Sequence, residues 1–220
     1  MARNLRIAFV IDGFNLYHSL ADSYRANGGI ISKWFDLDGF CKSYLVPIGI
    51  KFGATITLQS IHYFSALATH LAEKDPEKII RHKDYISCLE YQGINVHLGR
   101  FNKKNVKYSN NKVKVCVQTH EEKETDVAIA IKAFELFHQD AVDILAIASG
   151  DSDIVPAVKA IKNNFPDKIV VSIFPAGRKS DDMEKNVHTS FKASNAKYLK
   201  HHLPDPFILK NLQISKPKTW

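Results

Sequence analysis

The chain has 220 residues, with 45% hydrophobic and 24% charged side chains, the balance of a folded globular protein and not of a disordered tract. Thirty Lys and Arg against 23 Asp and Glu leave a formal charge of +7, which suits an anionic partner without separating nucleic acid from a membrane surface. No apolar run reaches the ~18–20 residues that span a bilayer. No secretory leader pattern opens the chain, and Cys41, Cys88 and Cys116 form no C-x-x-C pair, so a reducing, cytoplasmic setting without a membrane partner is expected.

Ile7-Ala8-Phe9-Val10-Ile11 is a continuous apolar run of the kind found in a buried parallel strand, and it stops at Asp12-Gly13. Helical stretches are expected around 14–25 and 36–46. Ala54 to Phe64 is rich in β-branched and aromatic residues and predicts a second strand. Asp75-Pro76 opens a helix that runs to about Gln92, where Gly93 stops it. Ile94 to Phe101 predicts a third strand. The stretch 102–118 carries Asn110-Asn111 between two alternating segments, the pattern of a hairpin-like insertion. Thr125 to His138 predicts a helix with Val127, Ile131, Phe134 and Leu136 or Phe137 toward a core. Asp143 to Ala148 is a further buried strand, ended by Ser149-Gly150-Asp151-Ser152-Asp153. A helix from about Ile154 to Asn164 and a strand from Lys168 to Phe174 follow. Beyond Pro175 a helix near 180–192 and a short strand near 196–199 are expected, then an irregular tail over 204–220. Strands alternating with helices build βαβ units around a mostly parallel sheet, an α/β fold. Residues 1–203 form a single domain that carries the insertion.

In such a sheet, ligands gather at the carboxyl ends of the strands. Asp12 stands at one such end, Asp151 and Asp153 at another, and Asp126 in the first turn of a helix. Carboxylates brought within ~4–6 Å raise one another's pKa, and a divalent cation offsets the repulsion. All-oxygen donors suit Mg²⁺ or Mn²⁺; such an ion lowers the pKa of a water and neutralises a phosphoryl oxygen in an in-line displacement. Each residue also has a plain structural reading. Asp12-Gly13 makes a turn, Asp126 complements a helix dipole, and Ser149-Gly150-Asp151-Ser152-Asp153 is a loop with an N-cap. Asn15 supports Asp12 or makes a local Asx turn. Ser149 donates to a phosphate or carboxylate, or is a satisfied loop hydroxyl. His18 is expected as an ordinary helix residue, and Trp34-Phe35 as core.

Ile11-Asp12-Gly13-Phe14-Asn15-Leu16, then Lys123-Glu124-Thr125-Asp126-Val127-Ala128, then Ser149-Gly150-Asp151-Ser152-Asp153-Ile154-Val155-Pro156 resemble, in order and spacing, the three motifs of the NYN domain, a branch of the PIN-like nucleases. The resemblance spans roughly residues 5 to 200. It implies a Rossmann-like α/β/α sandwich with parallel strands in the order 3-2-1-4-5. It also implies an acidic Mg²⁺- or Mn²⁺-dependent site that cleaves RNA, with DNA as the substrate of some relatives. It makes Asp12, Asp126, Asp151 and Asp153 the metal ligands or holders of metal-bound waters, with Asn15 shaping the site and Ser149 supporting it. It allows a homodimer. The chain departs from the family at Glu124-Thr125, where Gly-Val is common, and at Ile154, where an aromatic residue is common.

Between residues 100 and 114 stand Arg100, Lys103, Lys104, Lys107, Lys112 and Lys114 with no acid among them, and Phe101 and Tyr108 interleave. Cations contact phosphates, and aromatic faces stack on unpaired bases for ~1–3 kcal/mol each. The stretch therefore reads as an RNA-gripping arm or as a solvated hairpin whose lysines protect a sheet edge. Lys123 and Arg178-Lys179 are further cationic candidates.

Three functions compete. The first is a metal-dependent ribonuclease, an endonuclease. The second is a catalytically weak or inactive nucleic-acid-binding module on the same fold, against which four retained acids speak. The third, a small-molecule phosphohydrolase or nucleotide-binding protein, lacks its motifs: Phe14 stands where a second aspartate is needed, and no G-x-G-x-x-G follows the first strand.

Overall fold

The structure is a computed structural model that describes residues 3–29, 33–69, 75–110 and 113–220, and within 103–122 the backbone alone. Its central sheet has seven strands in the order β4-β3-β2-β1-β5-β6-β7. These are β1 (Arg3–Asp12), β2 (Ala54–Ala66), β3 (Asn95–Asn110), β4 (Val113–Lys123), β5 (Ile144–Ala148), β6 (Ile169–Phe174) and β7 (Thr189–Lys192). Every neighbouring pair is parallel except β3 with β4. The five strands at the centre follow the order that the family resemblance implies. The order reverses beside β1, whose neighbours are β2 and β5, so a crevice is expected at the carboxyl ends of these strands.

Two hydrophobic cores lie on the two faces of the sheet. In β1, Leu5, Ile7, Phe9 and Ile11 enter one core and Ala8 and Val10 the other; in β5, Ile144, Ala146 and Ala148 alternate with Leu145 and Ile147 in the same way. This is the two-residue period of a strand buried on both faces. The first core is covered by α1 (Gly13–Ala26), α2 (Leu37–Lys42), α3 (Leu45–Phe52) and α4 (Pro76–Tyr91); the second by α5 (Thr125–His138), α6 (Val155–Asn164) and α7 (Asp181–Asn186). Parity continued by one residue turns Asp12 toward the α5 side. Trp34 and Phe35 are fully buried in the first core, as expected. Cys41 and Cys88 are buried free thiols.

Several expectations change. The helix expected over 36–46 is two helices, α2 and α3, which meet at Ser43-Tyr44. The hairpin expected over 102–118 is longer, paired from Arg100 to Lys123. β3 leaves β2 after Gly99 and runs on to Asn110, paired with β4 from Arg100↔Lys123 to Asn110↔Val113. No Gly or Pro interrupts residues 100–110, so nothing breaks the extended backbone. Asn111 and Lys112 lie outside the described residues, as do the side chains of Lys103, Lys104, Lys107, Tyr108 and Lys114.

The core face of α5 is also corrected. Ile129, Ala133, Leu136 and Phe137 are buried, whereas Val127, Ile131 and Phe134 are 63%, 55% and 39% exposed. The segment carries two apolar stripes, and tertiary packing selects the one with the small Ala133 against the sheet. The late strand lies at Thr189–Lys192, after a shorter helix, and 196–199 falls in the helical turn α8 (Asn195–Tyr198). The expected irregular tail holds a small antiparallel hairpin, β8 (Phe207–Leu209) with β9 (Leu212–Ile214). Its Phe207 and Ile214 enter the first core.

Candidate functional site

Asp12 ends β1 and is the N-cap of α1. Its Oδ1 accepts the Asn15 backbone N–H at 2.9 Å, the standard satisfaction of an orphan helix donor. Its Oδ2 accepts the Ser149 hydroxyl at 2.8 Å. Ser149 is fully buried and also accepts the Asp151 N–H at 3.0 Å. Asn15 answers from the other side: its Oδ1 accepts the Gly150 N–H at 3.0 Å. Asn15 and Ser149 thus cross-link the turn after β1 to the turn after β5; the Asx-type turn here is made by the Asp12 side chain, and the Asn15 side chain bonds the Gly150 N–H instead of Asp12.

The carboxylates of Asp12, Asp126 and Asp151 come together, with one oxygen of each within 4.8 Å of the others. Asp12 is buried, Asp151 half-buried and Asp126 exposed, so the group opens to solvent on one side. Burial, with the nearby charge of Asp151, pushes the Asp12 carboxyl above its ordinary value, although the hydrogen bonds from Asn15 and Ser149 oppose this. Asp153 is exposed and lies outside the trio; its N–H donates to Asp151 Oδ1 at 2.9 Å. Of the four acids, three converge and the fourth serves the loop that holds Asp151.

Two glycines let these turns close. A Cβ at Gly150 would lie 1.6 Å from the Arg178 carbonyl oxygen, and one at Gly13 would lie 2.4 Å from that of Phe64. Glu124, just before α5, has φ 82°. This is the left-handed region that glycine adopts freely, at the position where the family commonly has Gly.

The cationic candidates divide. Arg100 pairs with Glu124 at 2.7 Å and sits opposite the exposed Lys123 in the β3–β4 register. The five lysines from Lys103 to Lys114 have side chains outside the described residues. Arg178 pairs with Asp22, and Lys179 with Asp181 and Glu184, so both are surface ion-pair residues.

No sequence motif announces a cavity of about 750 Å³ on the α1–α4 side of the same sheet edge. It begins at Gly13 and Phe14, immediately after Asp12, and extends to Trp220. Its residues come from α1, β2, α4 and the chain end, and only the folded chain assembles them. His18 lines it from an exposed position on α1.

Among the described residues no helix is long and apolar enough to cross a membrane. The chain is 24% identical to 6-hydroxy-3-succinoylpyridine 3-monooxygenase HspA of Pseudomonas putida (strain DSM 28022 / S16), across 98% of this chain and 75% of that protein. The crystal structure of a protein of unknown function from Vibrio parahaemolyticus RIMD 2210633 superposes with a TM-score of 0.55 at 18% identity, covering 86% of this chain and 93% of that one. That likeness concerns the fold. Residues 6–194 match the NYN domain, and this span contains all three acidic segments; the chain belongs to the NYN domain family.

Proposed function

We propose that the protein is a Mg²⁺- or Mn²⁺-dependent ribonuclease that cuts RNA internally. The observation that supports this is the convergence of Asp12, Asp126 and Asp151 from three distant segments to within 4.8 Å. The donor set fits a hard divalent cation: three carboxylates, no sulfur or imidazole, and an open side for water and substrate oxygens. Asp12 and Asp151 would hold the ion with Asp126, and Asp153 steadies the loop. Such an ion supplies an acidified water and charge neutralisation at a phosphoryl oxygen.

The chain's own residues do the rest. Asn15 and Ser149 fix the Asp12 carboxylate in one orientation, so the donors meet an incoming phosphate pre-arranged. Water adds to phosphorus, the P–O3′ bond breaks, and the products carry a 5′-phosphate and a 3′-hydroxyl. Arg100, Lys103, Lys104, Lys107, Lys112, Lys114 and Lys123, on or beside the β3–β4 hairpin, grip phosphates of the strand. The hairpin springs from the same sheet edge as the acids, which favours an arm over an edge guard.

The test is cleavage of an end-labelled RNA with Mg²⁺ or Mn²⁺ in the parent, Asp12→Asn and Asp151→Asn proteins. Loss of cleavage in both variants and in excess EDTA supports the proposal. RNA binding that survives both substitutions, with no cleavage by the parent under any metal, would make the protein a non-catalytic RNA-binding module.

A further inference from the structure

The cavity beside the acidic group has a chemistry of its own. Tyr17, Tyr63, Tyr85 and Trp220 wall it, and Phe14 and Phe101 meet edge to face at 5.7 Å at its border with the acidic turn. Three cations enter it: Lys33, Lys78 and Arg81. Lys33 Nζ lies 5.4 Å from the Tyr17 ring and 5.8 Å from the Trp220 ring. Among the described residues neither Lys33 nor Lys78 has an ion-pair partner. Arg81 pairs with Asp75 at 2.9 Å and Glu77 at 3.2 Å, yet its Nε is buried with no hydrogen-bond acceptor.

A buried donor without a partner is costly, and cations gathered in a half-closed space repel one another. The Lys33 ammonium shows the effect: burial and the charges of Arg81, Lys78 and Arg25 hold it below its ordinary value. Asp75 also lines the cavity but is taken up by Arg81, so among the described residues Lys33 and Lys78 lack an anion. The flat aromatic walls ask in addition for a planar ring, which they stack against. The volume lies in the range of small-molecule sites, ~300–1,000 Å³.

The geometry points to a binding site for a planar heteroaromatic ring that carries an anionic group. The ring packs among Tyr17, Tyr85 and Trp220, and the anion meets Lys33, Lys78 and Arg81. Two sources supply this chemistry, a nucleotide of a bound strand or a free heteroaromatic acid. The site stands independently of what the three carboxylates do.

The experiment is a titration of the metal-free protein in EDTA, followed by tryptophan fluorescence and calorimetry. The probes are adenosine 5′-monophosphate, nicotinate, adenosine and ribose 5-phosphate. Saturable binding of at least one of the first two is expected, with at least about tenfold weaker binding of both adenosine, which lacks the anion, and ribose 5-phosphate, which lacks the ring. Trp220→Phe should remove most of the fluorescence change while Trp34 remains as an internal control. Lys33→Gln with Lys78→Gln should weaken binding at least about tenfold at an unchanged melting temperature. Binding of the adenylate alone assigns the site to a nucleotide, and of nicotinate alone to a free acid. No saturable binding of either, equal binding of ribose 5-phosphate or adenosine, or affinity indifferent to the double lysine change overturns the inference. Because cleavage plays no part in the readout, these outcomes are separate from success or failure of the ribonuclease assay.

Discussion

Replacing Asp12 by Asn should make the metal-free protein more stable while abolishing its response to metal. In the parent, Asp12 is a buried carboxylate whose charge faces two others within 4.8 Å. Coulomb's law gives about 0.9 kcal/mol for each such pair at the dielectric of water and about 3.5 kcal/mol at an effective dielectric of 20. Asp126 is exposed and Asp151 half-buried, so the low end applies and the two pairs together cost about 2 kcal/mol. Asn removes this cost and keeps an oxygen for the Asn15 N–H. It weakens the bond from the Asn15 N–H to a neutral one and replaces the bond from the Ser149 hydroxyl by an Nδ2–H donated to the Ser149 oxygen, about 1 kcal/mol in all. The balance is a gain of about 1 kcal/mol, or about 2–4 °C in melting temperature for a chain of this size.

The pH dependence carries a sign. Asp12 is raised from 3.8 in the folded protein, so folding tightens its hold on a proton. The associated stability is complete below the unfolded value and disappears as pH rises through the folded one. The advantage of Asp12→Asn should therefore vanish at low pH and open as pH rises. Thermal melts in EDTA and in Mn²⁺, from pH 3.5 to 8, measure both effects. The parent should gain about 2.7 kcal/mol at a hundredfold excess of Mn²⁺ over its dissociation constant, and the variant nothing. A variant less stable than the parent in EDTA at pH 8, or one still stabilised by Mn²⁺, refutes the reasoning.

Gly150→Ala drives a methyl into the Arg178 carbonyl, and should cost about 2–3 kcal/mol and weaken Mn²⁺ binding, read by melting and calorimetry. Glu124→Gly relieves a left-handed residue and should stabilise by about 1 kcal/mol; a lower melting temperature contradicts this. His62, which lies 3.1 Å from His97, is lowered to about 4, first by burial and then by the neighbouring His97. Its neutral form is the folded one, so the stability it contributes is present above about 6.5 and is lost as pH falls through about 4. Urea unfolding between these values should show a shallower fall for His62→Gln than for the parent. Charge reversal at Lys103, Lys104 and Lys107 together should weaken RNA binding and flatten its salt dependence, by roughly 0.7 in log–log slope for each phosphate that is no longer neutralised; an unchanged slope dismisses the arm.

The central strands are legible in the sequence because strands buried on both faces are written as uninterrupted apolar runs, as at Ile7–Ile11 and Ile144–Ala148. The acids are legible because each follows such a run or opens a helix. Which acids converge is not, because Asp151 and Asp153 are two residues apart and only the single 3₁₀ turn at Ser152–Ile154 decides which one faces Asp12. The face of α5 misleads because Val127, Ile131 and Phe134 are the larger residues, and bulk does not reveal which stripe fits the sheet. The tail hairpin is hidden by Pro204, Pro206 and Pro217, which mark irregular backbone only where they stand. The cavity is invisible because Tyr17, Lys33, Arg81 and Trp220 share no local pattern, and long-range packing alone makes them neighbours.

The cap of α1 has one more consequence. The carboxylate that opens this helix also belongs to the trio, and the helix's next turn, through Phe14 and Tyr17, lines the cavity. Electrostatic relief at Asp12 is thereby wired to fraying at the start of α1. Slowed amide exchange at Asn15 would report an occupied acidic group without any turnover, and a ligand in the cavity that stiffens the same turn would strengthen ion uptake, a reciprocity that thermodynamics imposes on any two sites sharing one helix end.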